Sequence, residues 1–295
     1  MSKPKIGFIG LGLMGAAMVD RLLDQGYAIT VVANRSRTAI EKAVGRGAVE
    51  VQSSKELAAA SDIVMLCMDT SDSVESRMFG DDGVIAGLEP GSTVIDFGTS
   101  LPASTRKIGE KVAAAGSTYL DAPLGRTPAH ALEGKLNIMC SGDETAFAKV
   151  KPVLEDLGEN VFHLGALGSG HTIKLMNNFF GMTVANAMSE AFAFADVAGI
   201  ERQKLYDVMS AGPLHSGMMD FVKAYGVDGN PAMLAFAIKN ASKDVGYYNK
   251  MVEETGNTSI MAKGALGALS EATKSGSGDK MVSQMVDYFA DQFKK

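Results

Sequence analysis

The stretch Ile6-Gly7-Phe8-Ile9-Gly10-Leu11-Gly12-Leu13-Met14-Gly15 decides the fold of the N-terminal half. An apolar run of strand length leads directly into a Gly-x-Gly-x-x-Gly motif, and a helix-like segment follows. Gly10 permits a tight turn, Gly12 removes the side chain where a pyrophosphate must approach, and Gly15 lets the helix pack on the sheet. The N–H groups at the start of that helix attract phosphate. The motif therefore predicts a dinucleotide site built from Gly10, Leu11, Gly12, Leu13, Met14 and Gly15.

Apolar runs alternate with helix-like segments through the first half of the chain. The predicted strands cover residues 5–9, 29–33, 62–68, 93–97, 118–122, 136–140 and 160–164. The predicted helices between them include 12–25, 37–45, 102–115 and 144–157. This alternation indicates βαβ units and a mainly parallel sheet covered by helices.

The pattern changes near Gly165, and no further strand is predicted. Apolar residues at three- and four-residue spacing predict one helix over 169–198, roughly 45 Å long at about 1.5 Å per residue. More helices are predicted at 202–211, 215–225, 235–255, 259–274 and 279–293. The expected fold is α/β: a Rossmann-type doubly wound sheet (1–165) followed by an all-helical C-terminal domain (166–295), joined by the long helix. Ligands of such a sheet bind past the carboxyl ends of its strands.

Composition narrows the class of protein. The 295 residues are 46% hydrophobic and 21% charged, which is typical of a globular chain. The net charge is −6 and no Lys/Arg stripe occurs, so a nucleic-acid partner is not expected. No apolar stretch resembles a membrane-spanning helix, and the N-terminal run leads into the glycine motif rather than a signal-peptide cleavage site. With only Cys67 and Cys140, no disulfide framework is expected, both thiols are expected to be inert, and the cytoplasm is the expected location.

The end of the second predicted strand distinguishes NAD from NADP. An acidic residue there would bind the ribose 2′-OH and repel a 2′-phosphate. This chain instead has Ala33-Asn34-Arg35-Ser36-Arg37, and no carboxylate follows until Glu41. Arg35 can stack on adenine and pair with the phosphate, while Ser36 and Arg37 add donors. Asn34, Arg35 and Ser36 therefore predict NADP, with NAD as the second candidate. The alternative is a solvated basic loop.

A polar group opens the long helix. Lys174, Asn177 and Asn178 are spaced i, i+3 and i+4, so they share one face. Such residues on an otherwise apolar helix are costly without partners. They predict the wall of a cleft in which Lys174 is the general acid in reduction and the base in oxidation, while an Asn holds the substrate. A solvated helix start is the alternative, and the spacing alone does not decide between them.

Four ordered motifs resemble the β-hydroxyacid dehydrogenase family over nearly the full chain. They are 8–15, the segment 121–127 followed by Gly134-Lys135-Leu136, the segment 168–178, and Ser242-Lys243-Asp244. The resemblance implies that Lys174 is catalytic, that Asn178 binds substrate with Asn177 beside it, and that Lys243 lies near the nicotinamide and substrate. Met68 and Thr99 complete the predicted cofactor site.

Two departures from the family pattern concern the substrate. Gly125-Arg126-Thr127 stands where the family usually has Ser-Gly-Gly, and Asp96-Phe97-Gly98-Thr99 lacks one usual hydroxyl. The predicted substrate pocket thus gains a guanidinium and a hydroxyl. This version resembles the sulfolactaldehyde reductase branch, in which these residues hold a sulfonate. A forked donor suits a tetrahedral anion. The alternative is an Arg126 that points to solvent or to a structural carboxylate.

The sequence thus predicts an NAD(P)-dependent oxidoreductase that reduces a small anionic aldehyde, with 3-sulfolactaldehyde to 2,3-dihydroxypropanesulfonate favoured. The alternatives are a succinic semialdehyde (4-hydroxybutyrate) or 3-hydroxyisobutyrate dehydrogenase, an imine reductase, or an NADP-binding sensor without turnover. Imine reductases share the Asn-Arg-Ser loop, but Lys174 argues against them because they usually lack it. The sulfolactaldehyde branch tends toward NAD, which conflicts with the NADP-like loop.

The remaining predictions concern association and the histidines. Apolar content in the C-terminal half suggests a homodimer or homotetramer. The four histidines, His130, His163, His171 and His215, form no metal-ligand spacing, so no metal is expected. His163 is expected to be structural. His171 precedes Lys174 by three residues and could tune it, although a solvated position at the helix start is the favoured interpretation.

Overall fold

A computed structural model describes residues 3–33 and 37–294. They form two compact units, the first ending at Lys174 and the second beginning at Leu175. The predicted domain boundary at 165/166 stays a prediction.

The main sheet of the first unit is entirely parallel, in the order β3-β2-β1-β4-β5-β6. This is the strand order of dinucleotide-binding domains. The strands are β1 (Ile6–Ile9), β2 (Ile29–Val32), β3 (Val49–Val51), β4 (Ile63–Leu66), β5 (Thr93–Asp96) and β6 (Thr118–Asp121). The helices between them are α1 (Leu13–Asp24), α2 (Thr38–Gly45), α3 (Ser54–Ala59), α4 (Ser71–Met78) and α5 (Pro102–Ala114).

Successive residues of the central strands pack on opposite faces of this sheet. Phe8 and Met65 belong to one buried apolar cluster, whereas Ile9, Val64 and Leu66 belong to another. A strand buried on both faces reads as a continuous apolar run, because neither of its faces meets water. The uninterrupted apolar runs in the sequence therefore become the centre of the sheet.

A second, three-stranded sheet completes the first unit. Its order is β7-β8-β9, with β7 antiparallel and β9 parallel to β8. The elements are β7 (Leu124–Gly125), α6 (Pro128–Leu132), β8 (Leu136–Cys140), α7 (Glu144–Leu157) and β9 (Gly158–His163).

The regular secondary structure described in the second unit is helical, apart from one isolated bridge between Ala237 and Met281. Helix α8 (Ser169–Val197) begins in the first unit and continues into the second. It is followed by α9 (Arg202–Ser210), α10 (Gly217–Gly226), α11 (Ile238–Glu253), α12 (Ile260–Ala272) and α13 (Met285–Phe293). The core of this unit includes the fully buried Phe192, Ile238 and Met285. In the described part of the chain, no helix is long and apolar enough to cross a membrane.

The predicted fold class is confirmed: a parallel sheet with helices is followed by a helical C-terminal part. The 29-residue helix α8 matches the predicted segment closely. Five short elements were not predicted, namely β3, β7, α3, α4 and α6.

Candidate cofactor and active site

The glycine turn between β1 and α1 fits a dinucleotide pyrophosphate. Gly10 has a φ of 96°, and a Cβ there would lie 2.4 Å from the Cys67 carbonyl oxygen. A Cβ on Gly15 would lie 2.0 Å from the Gly10 carbonyl oxygen, whereas one on Gly12 would point into open space. Gly12 caps α1 without a side-chain hydrogen bond, and the first turn of the helix carries no acidic residue. The first N–H groups of α1 thus face space that an anion can fill.

Two other predicted cofactor residues follow neighbouring strands at the same edge. Met68 comes just after β4, and its sulfur would lie 2.9 Å from a Cβ on Gly10. Thr99 follows β5, which pairs in parallel with β4. Leu11 and Met14 are partly buried against the core, whereas Leu13 is 83% exposed. The parallel sheet therefore gathers the glycine turn, Met68 and Thr99 at its carboxyl edge, although their roles stay predictions.

The loop predicted to select the cofactor lies partly outside the described residues. Asn34, Arg35 and Ser36 belong to the undescribed segment. Arg37 is described, and its Nη1 and Nη2 donate to the two carboxylate oxygens of Glu50 at 2.6 and 3.1 Å. The guanidinium of Arg37 is thus already engaged by a fork-to-fork ion pair, which makes it a poorer phosphate donor than predicted.

The segment Gly125-Arg126-Thr127 lies at the end of β7. Arg126 has a φ of 77°, the only positive φ of a non-glycine residue within the described ranges. Its Nη1 donates to the Lys135 carbonyl oxygen at 2.8 Å and to a carboxylate oxygen of Glu159. Thr127 caps the short helix α6, and its hydroxyl lies 2.8 Å from Nδ1 of His130. Arg126 therefore pairs with a carboxylate, as in the alternative that the sequence left open, but that carboxylate is 53% exposed. The binding of substrate by Arg126 stays a prediction.

The predicted catalytic residue Lys174 is half-buried near the start of α8 and is the last residue of the first unit. Asn177 and Asn178 follow on the same helix, within the second unit. Asn177 is exposed, whereas Asn178 is only 8% exposed.

The predicted site residues of the second unit form a connected group. Asn178 donates through Nδ2 to Asp244 of α11 at 2.6 Å and accepts from Asn177 at 3.2 Å. Lys243 forms an ion pair with Asp244 at 2.9 Å and lies over the ring of Tyr247. The structure thus brings Asn177, Asn178 and Lys243 together through Asp244, a buried carboxylate to which the sequence gave no separate role. Its position next to Lys243 in the fourth motif was the available signal.

The structure contradicts the expectation for His171 and agrees with the one for His163. His171 has no exposed surface, so the prediction of a solvated helix start is wrong. Its ring lies against the side chains of Asp96 of β5, Asp121 of β6 and Thr105 of α5. His163 stacks on Phe147 at 4.7 Å, and its Nε2 lies 3.0 Å from the Gly142 carbonyl oxygen, as suits a structural role.

Both cysteines are poor nucleophiles. Burial, with the nearby Asp96 charge, raises the pKa of the Cys67 thiol to about 12. Burial likewise raises the pKa of Cys140 to about 12, with Asp121 adding to the effect. A thiol with so high a pKa forms little thiolate near neutral pH, so neither residue suits nucleophilic catalysis.

Two family models together cover most of the chain. Residues 5–165 match the NAD binding domain of 6-phosphogluconate dehydrogenase. Residues 168–289 match the NAD-binding domain of NADP-dependent 3-hydroxyisobutyrate dehydrogenase.

Individual relatives agree with both models. The chain is 34% identical to a probable 3-hydroxyisobutyrate dehydrogenase-like protein of Arabidopsis thaliana over 74% of this chain and 68% of that protein. It is 33% identical to 2-hydroxy-3-oxopropionate reductase of Escherichia coli over 73% of each chain. A crystal structure of 3-hydroxyisobutyrate dehydrogenase from Salmonella typhimurium superposes with a TM-score of 0.84 at 27% identity, covering 97% of this chain and 100% of that one. The chain therefore belongs to the β-hydroxyacid dehydrogenase family and is an NAD(P)-dependent oxidoreductase.

Proposed function

We propose that this enzyme uses NADPH to reduce a small anionic aldehyde to the hydroxy anion, and that it prefers a sulfonate, 3-sulfolactaldehyde, to carboxylates. The observation that carries the substrate class is Arg126, which holds a left-handed conformation at the segment where the family pattern has no charged side chain. Backbone strain of this kind persists where the surrounding structure enforces it, and it concentrates at functional sites.

The charge of the chain supports this role for Arg126. A protein with a net charge of −6 needs a local cation to hold an anion. The bonds of Arg126 to Lys135 and Glu159 both use Nη1, and the Glu159 side chain is 53% exposed. A sulfonate would take the other edge of the guanidinium or displace this exposed carboxylate, with the Thr127 hydroxyl as a further donor.

The chemistry assigned to the chain's own residues is acid–base catalysis and binding. The bound nicotinamide cofactor supplies the hydride. Lys174 donates a proton to the carbonyl oxygen as the aldehyde becomes an alcohol, and it takes that proton back in the oxidation direction. Asn178 orients the substrate through its amide, whose rotamer is fixed by the bond to Asp244.

Two observations support NADP as the preferred cofactor. No carboxylate occurs between Ala33 and Arg37, so nothing in that loop would repel a 2′-phosphate. Because Arg37 is paired with Glu50, Arg35 is the cation of this loop that we assign to the phosphate.

The name of the Escherichia coli relative, a reductase of 2-hydroxy-3-oxopropionate, is consistent with an anionic aldehyde as substrate.

The test is Arg126→Ala, assayed against 3-sulfolactaldehyde, succinic semialdehyde, methylmalonate semialdehyde and a neutral aldehyde of similar size. Loss of the guanidinium leaves the substrate anion poorly paired. We therefore expect kcat/KM for the charged substrates to fall by a factor that corresponds to a loss of about 2–4 kcal/mol of transition-state stabilisation. The neutral aldehyde should be affected little.

Glu159→Gln is the matched control, because it breaks the same ion pair but keeps the guanidinium. It should preserve or improve the use of anions. Equal losses on charged and neutral aldehydes, or the same loss in Glu159→Gln, would show that Arg126 is structural. A wild type that reduces the carboxylates faster than the sulfonate would defeat the sulfonate preference and favour 4-hydroxybutyrate or 3-hydroxyisobutyrate chemistry.

A further inference from the structure

A fully buried polar cluster lies at the start of α8, at the carboxyl ends of β5 and β6. Asp96, Asp121 and the His171 ring have no exposed surface, and Asp96 and Asp121 are register partners on the two strands. Burying two carboxylates and an imidazole is costly unless each makes good hydrogen bonds. The cluster plays no part in the acid–base chemistry assigned above, so its retention in the core calls for another explanation.

Asp121 clamps the beginning of the helix. Its Oδ1 accepts from the backbone N–H of Gly168 and its Oδ2 from that of His171, both at 2.8 Å. Ser141, whose hydroxyl donates to Asp121, accepts from the N–H of Gly170 at 2.9 Å. The first N–H groups of a helix have no partners within the helix, so a charged acceptor from another element fixes this end strongly.

The approach of α8 to the sheet is close enough to require a glycine. A Cβ on Gly170 would lie 2.2 Å from the Met139 carbonyl oxygen and 2.9 Å from Oδ2 of Asp121. Any side chain at this position would push the helix away from the carboxylate that holds it.

The His171 ring adds a second point of attachment. Its Nδ1 lies 2.7 Å from the Thr105 hydroxyl of α5 and 3.8 Å from Asp121. Its Nε2 lies 3.8 Å from Asp96. Asp96 is itself held by the N–H of Gly98 and the hydroxyl of Ser100. Backbone clamp and ring together fix both the position of the first turn and its rotation about the helix axis.

We infer that Asp121 is the positioning residue for Lys174, with the His171 ring as its second contact. This inference rests on the proposed role of Lys174. Lys174 follows His171 by three residues on the same helix, so a shift or rotation of the first turn is transmitted directly to its ammonium. A displacement of about 1 Å of a catalytic group can cost on the order of 10²-fold in rate.

The clamp itself is tested by hydrogen exchange on the full-length protein. Asp121→Asn replaces one acceptor oxygen by a donor, so it cannot accept from both backbone N–H groups. Amides in the peptide 166–173 should exchange faster in this variant than in the wild type. Asp143→Asn is the matched control: Asp143 caps the first turn of α7 by accepting from Ala146 at 2.8 Å, and that helix carries no predicted site residue. It should leave both the 166–173 exchange and the activity unchanged.

The action through Lys174 is tested by a double-mutant cycle. Asp121→Asn should lower kcat by about 10- to 100-fold, with KM and the Kd for NADPH within about twofold of wild type. Lys174→Ala alone should lower kcat by about 10²–10⁴-fold. In the Lys174→Ala background, measured by slow single turnovers, Asp121→Asn should add less than about a twofold loss.

Thr105→Val is the milder variant if Asp121→Asn does not fold, because it removes the hydroxyl beside the His171 ring and keeps the side-chain shape. It should show the same dependence on Lys174. Equal losses with and without Lys174, or full activity together with unchanged exchange in Asp121→Asn, would overturn the inference. Near-normal kcat in Lys174→Ala would instead overturn the proposed function, so the two failures are distinguishable.

Discussion

At the residue scale, Arg35 and Arg37 are expected to have different roles. Arg37 pairs with Glu50, so we expect Arg35 rather than Arg37 to bind the 2′-phosphate. We expect the wild type to favour NADPH over NADH by about tenfold or more in kcat/KM, since a charged hydrogen bond is worth roughly 1.5–3 kcal/mol. Arg35→Ala should abolish most of that preference, and Arg37→Ala, the matched control, should retain it. Equal or better use of NADH by the wild type would contradict the prediction.

The sequence alone singled out individual candidate residues, but it did not predict their burial or their partners. A polar residue at the start of a helix is usually solvated. His171 is buried instead, because Asp96 and Asp121, on strands 50 or more positions earlier in the chain, lie against it. Arg126 was singled out by its departure from the family pattern, yet its partner Glu159 lies 33 residues away. Such long-range partners leave no periodic signal in one sequence.

At the element scale, predictability followed burial. All seven predicted strands occur. The five of them that lie in the main sheet are buried at nearly every residue, and strands buried on both faces give continuous apolar runs. The unpredicted β3 is an edge strand of three residues with only partial burial, and β7 has two residues. Helix α4, with the sequence SDSVESRM, buries only Ser71, Val74 and Met78, so its apolar pattern is too weak to detect.

One ion cluster joins α1 and α2 and makes the stability of the fold depend on pH. Asp20 of α1 bonds to Lys42 of α2 at 2.5 Å and to Arg46 at the end of α2 at 2.6 Å. Burial alone would raise the pKa of Asp20, but the hydrogen bonds and charges of Lys42 and Arg46 outweigh it and lower that pKa. A carboxyl whose pKa is lower in the folded state stabilises the fold above its unfolded pKa of about 3.9, and this stabilisation is lost as pH falls through the folded pKa.

The urea midpoint of the wild type should therefore fall more steeply below about pH 4 than that of Asp20→Asn, which should already be less stable at pH 7. Asp24→Asn is the matched control, because Asp24 pairs with Arg46 from a 58% exposed position on the same helix and such pairs contribute little. Parallel midpoint curves for wild type and Asp20→Asn between pH 3 and 7 would refute the assignment.

At the scale of the whole molecule, the division into a sheet half and a helical half was predictable because the hydrophobic period changes once, near Gly165. The distribution of exposed apolar side chains follows the same division. Among the described residues, the helical unit carries eleven of the seventeen exposed large hydrophobic residues, although it is the smaller unit. If these residues form a contiguous patch, a second copy of the chain would be needed to cover it, so the homodimer or homotetramer stays a prediction to be tested.

Phe194 offers the sharpest test of that association. It is 57% exposed on α8, three residues before Val197, which is 60% exposed, and its ring meets Phe293 edge-on at 5.9 Å. Glutamate at this position would place a charge within an apolar interface, where burial without a partner is costly. We therefore expect Phe194→Glu to lower the molar mass measured by size-exclusion chromatography with light scattering. Phe162→Glu is the matched control, because Phe162 is 48% exposed on β9 in the other unit, and it should leave the mass unchanged. A wild type that is monomeric at micromolar concentration would contradict the predicted oligomer, because no interface between copies would then exist for Phe194→Glu to disrupt.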